Sequence, residues 1–166
     1  MCREGVVRAI CVAGIAMLAA FAAGCSKKPP QELGSVGAEG PVTPGSARDF
    51  AVSVGDKVYF EVDSASLTPQ AQTTLQGQAR WLARYPNYTV TIEGHADERG
   101  TREYNIALGA KRATAVKNYL AGLGVPSVRV RTISYGKERP VAMCADISCW
   151  SQNRRAVTAL GRQAGS

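Results

Sequence analysis

Thr68-Pro69 constrains this chain more than any other pair of residues. A capping hydroxyl stands directly before a proline at the first helical position, so a helix starts there. Ala71, Leu75, Ala79 and Leu82 then recur on one face, and Pro86 ends the run. A helix with one apolar stripe needs a second layer to cover it. Tyr88 to Glu93 supplies one, setting Val90 and Ile92 against Thr89 and Thr91 in the alternation of a half-buried strand. The pattern then repeats. A second helix opens near Thr101 and stops at Gly122 or Gly124, and Val128 to Tyr135 follows as a strand with Arg129 and Arg131 on one face. Val58 to Val62 is a short strand before the first helix, and Arg155 to Leu160 is the last strand. The order β-α-β-α-β-β predicts an α/β (α+β) two-layer sandwich, a mixed four-stranded sheet with two helices on one face.

This domain is expected over residues 50–166. Two appendages precede it. Ala9 to Ala23 is an unbroken apolar run of fifteen residues behind Arg3 and Arg8. That is short of the roughly 20 residues a spanning helix needs and suits a signal-peptide core, so residues 1–24 read as an export signal. Ala22-Ala23-Gly24-Cys25 resembles a bacterial lipobox, in which the cysteine is acylated and becomes the new N-terminus. Ser26 after it implies sorting to the outer membrane. Residues 25–49 are rich in Pro, Gly and Ser with little to bury. They read as a flexible linker with a root-mean-square span of roughly 25–30 Å.

With Cys2 and Cys11 in the signal and Cys25 acylated, Cys144 and Cys149 remain. In an oxidising compartment the pair is expected to form a disulfide. Zinc is the alternative, but it takes four ligands and the chain has one histidine. The formal charge is +7, spread over scattered Lys and Arg. Nucleic acid would exploit such a charge, but an exported chain does not meet it. No nucleophile stands in an activating motif, and His95 reads as a packed residue bonding its loop; no enzyme, metal or cofactor is expected.

The densest chemistry lies between Gly94 and Ala113. Gly94-His95-Ala96-Asp97-Glu98-Arg99-Gly100-Thr101 puts a carboxylate on a tight loop, and Tyr104, Leu108 and Arg112 share one helix face. A fixed carboxylate and a fixed guanidinium facing one pocket suit a zwitterion, the first taking its ammonium and the second its carboxylate. In the empty protein Asp97 is the expected partner of Arg112, and a purely structural ion pair is the competing reading.

These residues, with Asn105, Ala113 and the late Asn153-Arg154-Arg155, resemble the OmpA-like peptidoglycan-binding domain over roughly residues 55–162. The Ala-Asp-Glu-Arg-Gly version behind a lipobox and linker is similar to the lipoprotein branch of that family. The resemblance implies a non-enzymatic binder of meso-diaminopimelate in the peptidoglycan stem peptide. It implies Asp97 for the ammonium, Arg112 for the carboxylate, Val62 and Asp63 at the pocket edge, and Arg99, Thr101, Asn105 and Leu108 at pocket or supporting positions. It also implies an outer-membrane, periplasm-facing protein of the Tol system with TolB as a partner, acting in envelope integrity and cell division.

Overall fold

The computed structural model describes residues 42–163; Cys25, the expected signal and most of the expected linker lie outside them. The described chain runs α1 (Ala47–Ser53), β1 (Lys57–Tyr59), α2 (Pro69–Arg84), β2 (Tyr88–His95), α3 (Arg102–Gly122), a 3-10 turn (Ser127–Arg129), β3 (Val130–Gly136), α4 (Ile147–Asn153) and β4 (Arg155–Gln163). The sheet order is β1-β4-β2-β3. β2 and β3 are parallel, and β4 runs antiparallel to both β1 and β2. The last strand in sequence therefore sits inside the sheet, which is mixed and four-stranded as expected.

α2 starts as the sequence requires: Thr68 Oγ1 accepts from the Ala71 amide at 3.2 Å, with Pro69 in the first turn. Ala71, Leu75, Ala79 and Leu82 are all buried. Gln78 is buried among them, donating to the Gly55 carbonyl at 2.7 Å and accepting from Thr158 Oγ1 at 2.8 Å. That places α2 on the face of β4 that carries Thr158. Ile92 pairs with Thr158 and Gly94 with Ala156, so α3, which lies against Gly94, covers the same face. Phe50, Phe60, Leu75, Leu82, Ile92 and Leu120 form the centre of the core between the layers.

Two short helices depart from the expected order. α1 begins at Ala47, inside the stretch expected to be linker. Ser46 caps it, and Asp49 accepts from the Trp81 indole at 2.9 Å while Phe50 packs edge-on to Trp81. α4 lies in the expected loop, where Asp146 caps it and the Cys144–Cys149 disulfide closes its first turn. β1 is also shorter than expected, since the chain leaves the ladder after Tyr59. Arg129 is no open strand arginine: its guanidinium caps the end of α2, donating to the carbonyls of Tyr88, Leu82 and Tyr85.

One contact fixes the height of α3 over the sheet. A Cβ on Gly94 would lie 1.9 Å from the Gly109 carbonyl oxygen, so the backbones of β2 and α3 touch directly. Gly94→Ala would force α3 off the sheet. It is expected to lower stability by about 2–3 kcal/mol, read as a fall in the urea midpoint; an unchanged midpoint would mean the helix yields freely.

Candidate functional site

The site forms where β2 ends. His95 closes the strand, the Ala96 amide just beyond it donates to the Gly136 carbonyl at 2.8 Å, and the chain turns through Asp97 to Thr101. Gly100, at φ 86°, makes that turn in a region a side chain would strain. Thr101 then caps α3, its Oγ1 accepting from the Tyr104 amide at 3.2 Å. Asn105, buried one turn on, donates to the Arg99 carbonyl at 2.7 Å and holds the loop against the helix.

Around this turn is a cavity of about 340 Å³. Of the expected residues, Val62, Asp63, Asp97, Arg99, Asn105, Leu108 and Arg112 line it; Thr101 does not, and caps α3 instead. Gly100 and Tyr104 complete the lining. Asp63 takes a positive φ of 53°, which aspartate tolerates better than most residues, and its carboxylate accepts from the Tyr104 hydroxyl.

Asp97 and Arg112 meet at this cavity, but they do not pair with each other. Arg112 is fully buried and donates to three backbone carbonyls: Nε to Ser64 at 2.8 Å, Nη1 to His95 at 2.7 Å and Nη2 to Glu61 at 3.1 Å. The expectation of an Asp97–Arg112 ion pair, structural or otherwise, is thus corrected. A buried guanidinium needs acceptors, and here the main chain supplies them. Three of its five N–H groups are used, and two have no partner among the described residues. Burial pushes the group down to about 10, so it stays charged at neutral pH.

Asp97 is held by arginines instead. Arg99 Nη2 lies 2.6 Å and Arg154 Nη1 3.4 Å from Oδ2, and Arg99 Nε lies 3.2 Å from Oδ1. Burial works to raise this carboxyl, yet the bonds from Arg99 and Arg154 outweigh it and hold it below the usual carboxylate range. Arg154 belongs to the motif the sequence offered, but its place beside Asp97 is what sequence reasoning missed. Its signal was the adjacent pair Arg154-Arg155 opening a strand that must be buried, since a buried arginine requires a partner.

His95 differs from expectation in detail. Its ring is buried with neither nitrogen hydrogen-bonded among the described residues, and Glu93 Oε2 is 3.8 Å away. Burial pushes the imidazole down, favouring the neutral form. What His95 gives the site is its carbonyl, through Arg112.

A sequence model of the OmpA family matches residues 59–154. The peptidoglycan-associated lipoprotein of Agrobacterium fabrum is 62% identical, covering 89% of this chain and 86% of its own length. The protein of the same name from Pseudomonas aeruginosa is 44% identical, over 86% of this chain and 92% of its own. Among solved structures, the peptidoglycan-associated lipoprotein of Burkholderia pseudomallei superposes with a TM-score of 0.62 at 46% identity, covering 64% of this chain and 90% of that one. The C-terminal domain of Helicobacter pylori MotB, at 22% identity and a TM-score of 0.61 over 66% of this chain and 86% of that one, shares the fold. The chain belongs to the OmpA family, among relatives that are peptidoglycan-associated lipoproteins.

Proposed function

We propose that this protein binds peptidoglycan by the free zwitterionic end of meso-diaminopimelate in the stem peptide. The observation that carries the reading is the pairing, across one cavity, of the Asp97 carboxylate with a buried Arg112 that keeps two N–H groups in reserve. Asp97 receives the ammonium and Arg112 the carboxylate. Each charge-assisted bond contributes about 1.5–3 kcal/mol net, which after association costs suits micromolar binding. Many copies facing many stem peptides would then hold by avidity while each contact exchanges.

The same proposal includes a lipid on Cys25, anchorage in the outer membrane with the domain facing the periplasm, and a place in the Tol system with TolB as partner. Envelope integrity and invagination at division would be its role. Family membership and the Ala22-Ala23-Gly24-Cys25 sequence support these steps.

The test is a calorimetric titration of the full chain with two stem peptides. One carries meso-diaminopimelate; the other carries lysine there, which keeps the ammonium and loses the carboxylate. The first is expected to saturate at micromolar concentration and the second to bind about tenfold or more weakly. Equal affinities would remove Arg112 from recognition, and no binding by either would remove the ligand.

A further inference from the structure

Among the described residues, donors already occupy the acceptor positions of Asp97. Its two oxygens offer about four lone-pair directions, and among the described residues four donors meet them. The Arg99 amide and Arg99 Nε reach Oδ1, each at 3.2 Å; Arg99 Nη2 at 2.6 Å and Arg154 Nη1 at 3.4 Å reach Oδ2. An arriving ammonium must displace one of them. The amide is fixed by its loop. Arg154 is buried and also donates to the Phe60 carbonyl at 3.1 Å. The Arg99 side chain, 41% exposed, is the donor that can swing away.

Trp150 stands against that side chain. Its ring lies 4.4 Å from the Arg99 guanidinium carbon, in the same conformation that covers Asp97. Its indole Nε1 donates to Glu98 Oε1 at 3.0 Å, which fixes the ring beside the loop. The tryptophan is carried by α4, whose first turn is closed by Cys144–Cys149. At the far end of α4 the buried Asn153 ties the preceding segment down: its Oδ1 accepts from the amides of Val141 and Ala142, and its Nδ2 donates to the Ala142 carbonyl. A side chain fifty residues from the loop thus braces its arginine.

We propose that Trp150 is a positioning residue that sets the affinity of the cavity for an ammonium group, by holding Arg99 over Asp97 as a displaceable cover braced through the Cys144–Cys149 segment. The inference rests on the diaminopimelate reading of the cavity. The cover makes Asp97 costly to reach for any stray amine, and it yields to a ligand whose second charge also engages Arg112.

The experiment titrates the full chain with the meso-diaminopimelate peptide and with an analogue lacking that one amine. Four forms are compared: parent, Trp150→Ala, Trp150→Phe, and parent with the disulfide reduced. Trp150→Ala is expected to bind the first peptide two- to fivefold more tightly, about the factor that a cation–π contact at a half-exposed site represents. The desamino analogue should be unaffected, Trp150→Phe should stay near the parent because it keeps an aromatic face, and reduction should act in the direction of Trp150→Ala. Weaker or unchanged binding in Trp150→Ala, or equal changes for both ligands, would overturn the cover. Reduction without effect would remove the disulfide from it. If no folded form binds either ligand, the functional reading fails, and the cover is judged by NMR titration of the Asp97 carboxyl. A value rising in Trp150→Ala but not in Trp150→Phe supports it; a value constant in both overturns it.

Discussion

Arg112→Ala is expected to lower the stability of the domain by about 3–5 kcal/mol, from three carbonyl acceptors left without their donor and the cavity left by the side chain. The guanidinium is fully buried and binds carbonyls from two places, Glu61 and Ser64 in the loop after β1 and His95 at the end of β2. It also lies 5.2 Å from the centre of the Phe60 ring. Alanine would leave three carbonyls without a donor and a cavity beside an aromatic ring. A domain of this size has only about 5–15 kcal/mol to lose, so the variant should remain folded at a much lower urea midpoint with a similar slope. Arg112→Lys should recover a part of the loss, because one ammonium cannot reproduce a planar fork. An unchanged midpoint in Arg112→Ala would mean the carbonyls rehydrate freely and that Arg112 serves the ligand alone.

The three carbonyl bonds of Arg112 explain why the sequence could bring Asp97 and Arg112 to one cavity and yet misjudge their pairing. Asp97 and Arg112 could be placed at one pocket from the strand–loop–helix pattern, since the loop and the i, i+4 spacing are local. The partners they take are not local. Carbonyls of Glu61 and Ser64 carry no side-chain signature, and Arg154 reaches Asp97 from fifty-seven residues away. The same division holds for the fold. α2 and β2 announce themselves by period, and α3 by its capping threonine and closing glycines, whereas α1 and α4 have seven residues each, too few for a periodic stripe. α1 exists because Asp49 and Phe50 find Trp81, and α4 because a disulfide and Asn153 close its loop. The insertion of β4 between β1 and β2 is likewise a long-range choice that no local pattern records.

Asp97→Asn should give the largest loss of ligand binding, about 10- to 100-fold, while the loop keeps its shape. The amide is the same size, but only its one oxygen accepts, so its NH2 group faces two of the four donors from Arg99 and Arg154, and it offers no charge to an ammonium. Buried Arg154 would lose its anionic partner, so a fall in stability of about 1–3 kcal/mol should accompany the change. The pH dependence separates the two effects. The folded carboxyl titrates below its ordinary 3.8, so the ionised form is favoured by folding. Its contribution is therefore complete above the unfolded value and is lost as pH falls through the lower folded value. The parent should lose this share of its stability only in strong acid, and Asp97→Asn should lack that step in a urea midpoint measured from pH 5 downward. Binding of the diaminopimelate peptide should follow the same carboxylate and survive to the acid side of pH 4. A variant that keeps parental affinity while losing the acid step would assign Asp97 to the fold alone, and the ammonium would have to be sought at Asp63.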